Sequence, residues 1–232
     1  MIRYPKLILA LDVDNFTQAK AFVDKLYPQI KIFKVGLQLF TACGQDIITY
    51  IRKKNAEVFL DLKFFDIPNT VGNAVRQAVR LKVKMMTLHI QGGEEMIRFA
   101  VKARNEEAAK LKIDLPLMIG VTVLTSQKSS PGKILKLAKV GLDLGLDGIV
   151  CSAQEASLLR KKLGRKFYMV TPGIRPAAAD NADQKRVATP EAAIKSGSNF
   201  LVVGRPILEA KDPQIVVGDI LKVFDCPSPK RS

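Results

Sequence analysis

The sequence predicts an α/β protein of the (β/α)8 type, a TIM barrel, and three observations support this class. Short β-branched apolar runs alternate with amphipathic segments of helix length along the whole chain. The runs are almost continuously apolar, as expected for parallel strands that are covered by helices. Eight strand–helix units can be counted, which favours a closed barrel over an open doubly wound sheet.

The predicted strands follow one another at the spacing that a barrel requires. In chain order they are residues 7–13, 32–37, 57–63, 85–90, 115–124, 147–152, 167–172 and 199–204. The clearest helical patterns between and after them are Phe16–Leu26, Val71–Leu81, Glu94–Leu111, Ile134–Leu144 and Pro213–Phe224.

No change of composition divides the chain into separate parts. Its 232 residues match a length that α/β barrels commonly use for one domain, so we expect residues 1–225 to form a single barrel domain. The tail from Cys226 to Ser232, CPSPKRS, has no apolar pattern and is predicted to be disordered.

The charge and cysteine content narrow the class of function. The chain carries 37 Lys and Arg against 22 Asp and Glu, which predicts a basic surface or anionic partners. The basic residues are spread over many predicted helices, which counts against dedicated nucleic-acid binding. Three widely separated cysteines without a CxxC motif (Cys43, Cys151 and Cys226) predict free thiols in a reducing cytoplasm.

Targeting to a membrane or to secretion is not predicted. The apolar run near the N-terminus soon meets Asp12 and Asp14, which is typical of a strand and not of a signal peptide. No stretch approaches the roughly 18 apolar residues that a membrane span needs. We therefore expect a cytoplasmic protein.

Polar residues recur where the predicted strands end. In a (β/α)8 barrel the chemistry lies at the C-terminal ends of the strands, so a ring of polar groups there predicts a site. The groups at these ends are Asp12, Lys34, Asp61, Lys63, His89, Thr125, Ser126, Pro172, Gly173, Gly204 and Arg205.

The stretch DLKFFDIPNT, residues 61–70, places two acids and a lysine within six residues, directly after an apolar run. Side chains alternate along a strand, so Asp61 and Lys63 should share one side while Leu62 and Phe64 face the helices. Lys34 of the neighbouring strand can join them. An ammonium held between carboxylates is a positioned acid and not a nucleophile. The alternative is a salt-bridge network that only closes the mouth of the barrel.

Residues 171–207 indicate a phosphate site. Loops after the seventh and eighth strands form the common phosphate site of such barrels, and Gly173, Gly204 and Arg205 lie in them. Residues 174–188 lack periodicity and predict either a lid or a disordered surface loop.

Metal and nucleotide motifs are missing from the sequence. The single histidine, His89, does not supply the ligands of a typical metal site, so we predict a structural role for it and no metal. GxGxxG, GxxxxGK[ST], HExxH and GxSxG are also absent.

Taken together, the motifs resemble one known family. DLKFFDIPNT, LHIQGG, GVTVLTS, TPGIRP, DQKR and LVVGRPI occur in this order between Asp12 and about Pro213. The combination is similar to the orotidine 5′-phosphate decarboxylase family of the bacterial type. The resemblance implies a homodimeric barrel without cofactor or metal. It also implies conversion of orotidine 5′-monophosphate to UMP and carbon dioxide, the last step of de novo pyrimidine synthesis.

The resemblance implies roles for the charged residues. Lys63 matches the proton donor to C6, and Asp61 matches the carboxylate beside the carboxylate of the substrate. Lys34 matches the lysine that completes the network and contacts the ribose. Asp66 and Thr70 match residues that reach the active site of the partner subunit.

The same resemblance implies the substrate contacts. Asp12 matches the residue that binds a ribose hydroxyl, while Thr125 and Ser126 lie where the pyrimidine is held. The remaining implied contacts are Gln184, Gly204 and Arg205 at the phosphate, with Pro172 and Arg175 in the TPGIRP segment.

One position departs from the family pattern. Many relatives have His where Phe65 stands, and we expect local repacking there without loss of activity.

Two other functions stay open. One alternative is another sugar-phosphate barrel enzyme, such as a related metal-dependent decarboxylase or a pentulose-phosphate epimerase. The latter needs more histidines than this chain has. The other alternative is a non-catalytic basic binding protein.

Overall fold

The computed structural model describes residues 5–124, 127, 129–176 and 188–225. It contains a closed barrel of parallel strands, in which each strand pairs with the next and β8 returns to β1. The strands are β1 Lys6–Ala10, β2 Ile32–Gly36, β3 Glu57–Phe64, β4 Met85–His89, β5 Leu117–Val121, β6 Gly148–Val150, β7 Tyr168–Thr171 and β8 Phe200–Val203. The predicted (β/α)8 class is confirmed.

Helices follow the strands and cover the outside of the barrel. They are α1 Phe16–Leu26, α2 Leu37–Cys43, α3 Asp46–Lys53, α4 Pro68–Arg80, α5 Glu94–Leu111, α6 Pro131–Asp143, α7 Ala153–Leu163, α8 Pro190–Lys195, α9 Arg205–Leu208 and α10 Pro213–Asp225. None of the helices in the described part of the chain is long and apolar enough to cross a membrane. The tail from Cys226 lies outside the described residues.

The predicted helices agree with the structure except at some ends. The bounds predicted for α1 and α5 are those observed. By contrast, α4 and α6 begin three residues before the predicted starts, at Pro68 and Pro131. Proline is favoured in the first turn of a helix, where its missing N–H group is not needed. The side chain of Ser130 then caps α6 by accepting the Lys133 N–H group.

The apolar strands divide their side chains between two cores. One set fills the barrel interior, where Ile8, Ile32, Phe59, Met85 and Phe200 are fully or almost fully buried. The other set packs beneath the helices. Burial on both faces explains why the strand sequences are almost continuously apolar. Burying one such side chain stabilises the fold by about 1.5–3 kcal/mol.

Strand β3 is irregular at the end where its charged residues lie. Leu60 pairs with Met86 but Phe64 pairs with Leu88, so the register shifts between them. Lys63 has a left-handed backbone with φ of 51°. The strand is therefore not a regular pleat between Leu60 and Phe64, where its register shifts as at a β-bulge.

Candidate active site

A cavity of about 130 Å³ opens at the C-terminal end of the barrel. Lys34, Asp61 and Lys63 form its charged side. The other side is apolar apart from main-chain atoms and consists of Phe59, Val121, Val123, Leu124, Val150, Val170, Pro172 and Val202. The interior core thus serves as the floor of the cavity, through Phe59 and Val170.

The side chains of β3 lie as the alternation predicted, despite the bulge. Asp61 and Lys63 line the cavity, whereas Leu62 and Phe64 pack against the core beneath the helices. The bulge therefore does not turn Lys63 away from Asp61, because the two side chains still meet on the cavity side.

Four charged side chains alternate in sign across the first three strands. Nζ of Lys63 lies 2.9 Å from Oδ2 of Asp61. Nζ of Lys34 lies 3.6 Å from the same oxygen and donates a hydrogen bond of 3.0 Å to Oδ1 of Asp12. We call Asp12, Lys34, Asp61 and Lys63 the charged network. The structure brings together four of the residues that the sequence predicted.

Asp61 is the most buried member of the charged network. Only 9% of the residue is exposed. Burial by itself raises the pKa of its carboxyl group, but Lys34, Lys63 and the hydrogen bonds from Lys63 and Thr87 outweigh it. The pKa of Asp61 therefore lies below its ordinary value, and the group is a carboxylate at neutral pH.

Thr87 is a further residue of the site, which the sequence patterns did not predict. This residue is fully buried in β4, and its hydroxyl donates a hydrogen bond of 2.9 Å to Oδ1 of Asp61. The hydroxyl oxygen of Thr87 also accepts a hydrogen bond from the backbone N–H of Lys63 at 2.9 Å. A signal was present, because Thr87 is polar in an apolar strand and lies two residues before His89, on the same face.

His89 and Phe65 are in contact at the rim of the site. Their ring centroids are 5.5 Å apart, and Phe65 is 62% exposed. Burial and the nearby Lys63 lower the pKa of His89, while Asp61 opposes them. A Cβ atom on Gly92 would lie 3.1 Å from the Phe65 ring, so the phenyl group packs closely there.

Asp66 and Thr70 do not enter the cavity of their own chain. Both are exposed, and Oδ1 of Asp66 accepts the N–H group of Ile67 at 2.6 Å. Their predicted role in the site of a partner subunit stays a prediction.

Gly204 and Arg205, two of the predicted phosphate residues, lie at the same end of the barrel. Gly204 follows β8 and immediately precedes α9, whose first residue is the exposed Arg205. A Cβ atom on Gly204 would lie 3.4 Å from Cβ of Ala10 and 3.5 Å from Oδ2 of Asp12, so the backbone approaches β1 closely. Thr125, Ser126 and Gln184 lie outside the described residues.

A short bridge joins the two ends of the predicted lid segment. Ile174 pairs with Ala188, and the backbone N–H of the buried Arg175 donates to the carbonyl of Ala188 at 3.0 Å. The N–H group of Ala188 donates in turn to the carbonyl of Gly173 at 3.2 Å. The segment predicted as a lid therefore begins and ends beside Pro172, which lines the cavity.

Metal ligands are not clustered among the residues that the structure describes. No group of three or more His, Cys, Asp or Glu side chains there is placed to hold a metal ion. The sequence-based expectation of a metal-free site stays a prediction.

Comparisons with known proteins extend over nearly the whole chain. A sequence model of the "Orotidine 5'-phosphate decarboxylase / HUMPS family" matches residues 5–220. An orotidine 5′-phosphate decarboxylase from Vibrio cholerae serotype O1 is 48% identical over 227 residues, covering 93% of this chain and 96% of that protein. One from Aliivibrio fischeri is 46% identical over 231 residues, covering 93% and 95%.

Solved structures agree with this assignment. Orotidine 5′-phosphate decarboxylase from Lactobacillus acidophilus superposes with a TM-score of 0.83 at 35% identity, covering 96% of this chain and 99% of that one. An uncharacterised conserved protein from Geobacillus kaustophilus superposes with a TM-score of 0.79 at 27% identity, covering 94% and 100%. The chain therefore belongs to the orotidine 5′-phosphate decarboxylase/HUMPS family.

Proposed function

We propose that this protein decarboxylates orotidine 5′-monophosphate to UMP and carbon dioxide, in pyrimidine synthesis in the cytoplasm. The observation that carries the proposal is the charged network, in which the Lys63 ammonium meets the Asp61 carboxylate at 2.9 Å inside a cavity at the strand ends. Relatives with this activity in their names are 46–48% identical to the chain.

The difficult step is the loss of the carboxylate from C6 of the pyrimidine. The bond between C6 and the carboxylate carbon breaks, its electron pair stays on C6, and CO2 leaves. No adjacent carbonyl absorbs the charge, so the protein must stabilise the carbanion itself. A preorganised ammonium in a site shielded from water does this effectively.

Lys63 supplies both the charge and the proton in this proposal. Its ammonium stabilises the developing carbanion and then protonates C6, which yields UMP. Asp61 holds that ammonium in position, and Lys34 holds Asp61 from the other side at 3.6 Å. Asp12 binds Lys34 at 3.0 Å and is free to accept a ribose hydroxyl with its second oxygen.

The rest of the substrate is bound around the same end of the barrel. The apolar side of the cavity suits the pyrimidine ring, which Thr125 and Ser126 hold. Gly204, Arg205 and Gln184 grip the phosphate, while Pro172 and Arg175 lie on the segment that closes over it. Phosphate binding is remote from C6, so its free energy can drive closure and organise the site.

The proposed active unit is a homodimer. Asp66 lies between two exposed apolar residues, Phe65 at 62% and Ile67 at 66% exposure. Exposed apolar groups of this kind favour a protein interface. Docking of a second copy there carries Asp66 and Thr70 to the site of the partner.

The decisive experiment follows the absorbance of orotidine 5′-monophosphate in the presence of EDTA. We expect conversion to UMP at the same rate with and without the chelator. Loss of activity with EDTA would favour a related decarboxylase that uses a divalent ion. If no conversion occurs under either condition and salt-sensitive RNA binding is found instead, a non-catalytic basic binding protein would replace the proposal.

A further inference from the structure

We propose that Thr87 is a positioning residue of the active site, whose hydroxyl holds both the Asp61 carboxylate and the Lys63 backbone in their working geometry. The inference rests on the proposed function, since it concerns how the Lys63 ammonium is presented to the substrate. Two hydrogen-bonding partners, the Asp61 carboxylate and the Lys63 backbone N–H group, meet at this one side chain.

The direction of each hydrogen bond is fixed by chemistry. An ionised carboxylate only accepts, so the Thr87 hydroxyl donates its proton to Oδ1 of Asp61 at 2.9 Å. The backbone N–H of Lys63 only donates, so it uses a lone pair of the same hydroxyl at 2.9 Å. A single oxygen therefore links the carboxylate to the backbone of the lysine that the carboxylate binds.

The backbone of Lys63 makes this link necessary. Its φ of 51° lies in the left-handed region, which is unfavourable for a residue with a side chain. The register shift between Leu60 and Phe64 also takes Lys63 out of the regular ladder with β4. Because a buried N–H group without a partner is costly, the Thr87 hydroxyl stabilises this conformation by replacing the lost ladder bond.

Packing alone does not require a hydroxyl at this position. Thr87 is fully buried in a strand whose neighbouring residues Met86 and Leu88 are apolar. Valine has nearly the same shape as threonine but cannot donate or accept a hydrogen bond. The comparison of Thr87→Val with wild type therefore measures the effect of the hydroxyl without a large change of shape. The comparison of Thr87→Ser with Thr87→Ala measures the same effect a second time.

A matched control is available on β7. Thr171 is also fully buried, and its hydroxyl lies 2.6 Å from that of Ser198. Thr171→Val removes a buried hydroxyl of the same kind and leaves a polar partner behind. Its hydrogen bond does not involve the charged network, so it reports the cost in stability without the effect on catalysis.

The experiment measures kcat and KM for orotidine 5′-monophosphate in these variants. We expect Thr87→Val to lower kcat roughly 10- to 100-fold, the range for leaving buried polar groups unpaired, with KM near the wild-type value. Thr87→Ser should retain most of the activity, Thr87→Ala should resemble Thr87→Val, and Thr171→Val should turn over like wild type. If Thr87→Val does not fold, the Ser and Ala variants carry the same test.

A pH profile separates positioning from general loosening of the fold. The charged or titratable groups around Asp61 are Lys34 in β2, Lys63 in β3 and His89 at the end of β4, and Asp12 after β1 is bound to Lys34. Loss of the donor to Asp61 removes one cause of its low pKa, so the acid limb of kcat/KM should move to higher pH in Thr87→Val. The limb should not move in Thr87→Ser or Thr171→Val.

The outcomes distinguish this inference from the proposed function. If the wild-type protein is active, and Thr87→Val and Thr171→Val give the same kcat and pH profile, only the proposed role of Thr87 is overturned. Equal losses in Thr87→Ser and Thr87→Ala would also overturn it, since the hydroxyl would then make no difference. Inactivity of the wild-type protein would instead overturn the proposed function, and the inference with it.

Discussion

The Lys63 ammonium and the Asp61 carboxylate meet at 2.9 Å across a stretch of strand that is not regular. Residues two apart on a flat strand point the same way, but Lys63 has a left-handed backbone with φ of 51°. The ion pair is therefore built on a conformation that favours glycine, although the proposed chemistry needs lysine there. This suggests that stability and activity conflict at position 63.

Replacement of Lys63 should separate these two properties. Both Lys63→Ala and Lys63→Gly should lower kcat by about 10⁴-fold or more, because the ammonium and its proton are lost together. Lys63→Gly should nevertheless be more stable than Lys63→Ala by about 1 kcal/mol, since glycine adopts positive φ without strain. Urea denaturation and orotidine 5′-monophosphate turnover measure the two effects.

Lys20→Ala provides the control for this comparison, because Lys20 pairs with Asp24 on α1, away from the cavity. It should leave turnover unchanged. Near-normal decarboxylation by Lys63→Ala would remove Lys63 from the mechanism.

Asp61 should make the stability of the protein sensitive to acid. Its pKa is lowered on folding from an ordinary value of 3.8, so its contribution is fully present above about pH 5. The contribution decreases as the pH falls below the ordinary pKa, and it is lost as the pH passes through the lowered pKa of the folded state, where the carboxylate is protonated. Asp61→Asn should cost about 3 kcal/mol at pH 7, because Lys34 and Lys63 lose their shared partner.

The difference in the free energy of unfolding between wild type and Asp61→Asn should therefore shrink between pH 5 and pH 3. Urea denaturation across this range measures it. Asp143→Asn, which alters an exposed carboxylate at the end of α6, should stay within about 0.5 kcal/mol of wild type. If the difference in the free energy of unfolding between wild type and Asp61→Asn is the same at all pH values, Asp61 is not held as a stabilising carboxylate.

Arg205 should distinguish substrates with and without phosphate. Arg205→Ala should lower kcat/KM for orotidine 5′-monophosphate roughly 10- to 100-fold, through loss of a charge-assisted hydrogen bond. The nucleoside orotidine should be affected little. Lys211→Ala, which removes an exposed cation shortly after α9, serves as the control. An equal loss with both substrates would place Arg205 outside the phosphate site.

Mixed dimers should test whether Asp66 acts across an interface. A heterodimer of Lys63→Ala and Asp66→Ala subunits contains one fully intact site if Asp66 serves the partner, and about half the wild-type activity should return. Each variant alone should stay impaired. Heterodimers purified with two different affinity tags and still inactive would indicate that Asp66 serves its own chain.

The barrel was predictable because its determinants are local and repeated. Buried strands such as Phe200–Val203 are fully apolar, and each is preceded or followed by a helical pattern. The ends of the strands were predicted less accurately. The apolar run 115–124 predicted a long strand, but pairing stops at Val121, and Val123 and Leu124 line the cavity instead. Sequence periodicity does not distinguish a paired apolar residue from one that faces a cavity.

The residues of the charged network could be predicted from the sequence, but the contacts that hold them in place could not. Alternation indicated Asp61 and Lys63, the neighbouring strand added Lys34, and the motif resemblance indicated these three together with Asp12. None of these could indicate the positive φ of Lys63 or the partnership with Thr87, because both depend on the register between β3 and β4. The role of a threonine in an apolar strand can be assigned only when its neighbours in the folded structure are known.

The pairing of β1 with β8 also has a consequence for how the protein is made. Ile8 lies opposite Val202, so the last strand must be synthesised before the first can complete its hydrogen bonds. At ribosomal speeds of about 5–20 residues per second, a nascent chain with this topology carries an unfilled sheet edge for on the order of ten to forty seconds. Open edges are templates for wrong pairing, so this interval is when the chain most needs protection by chaperones.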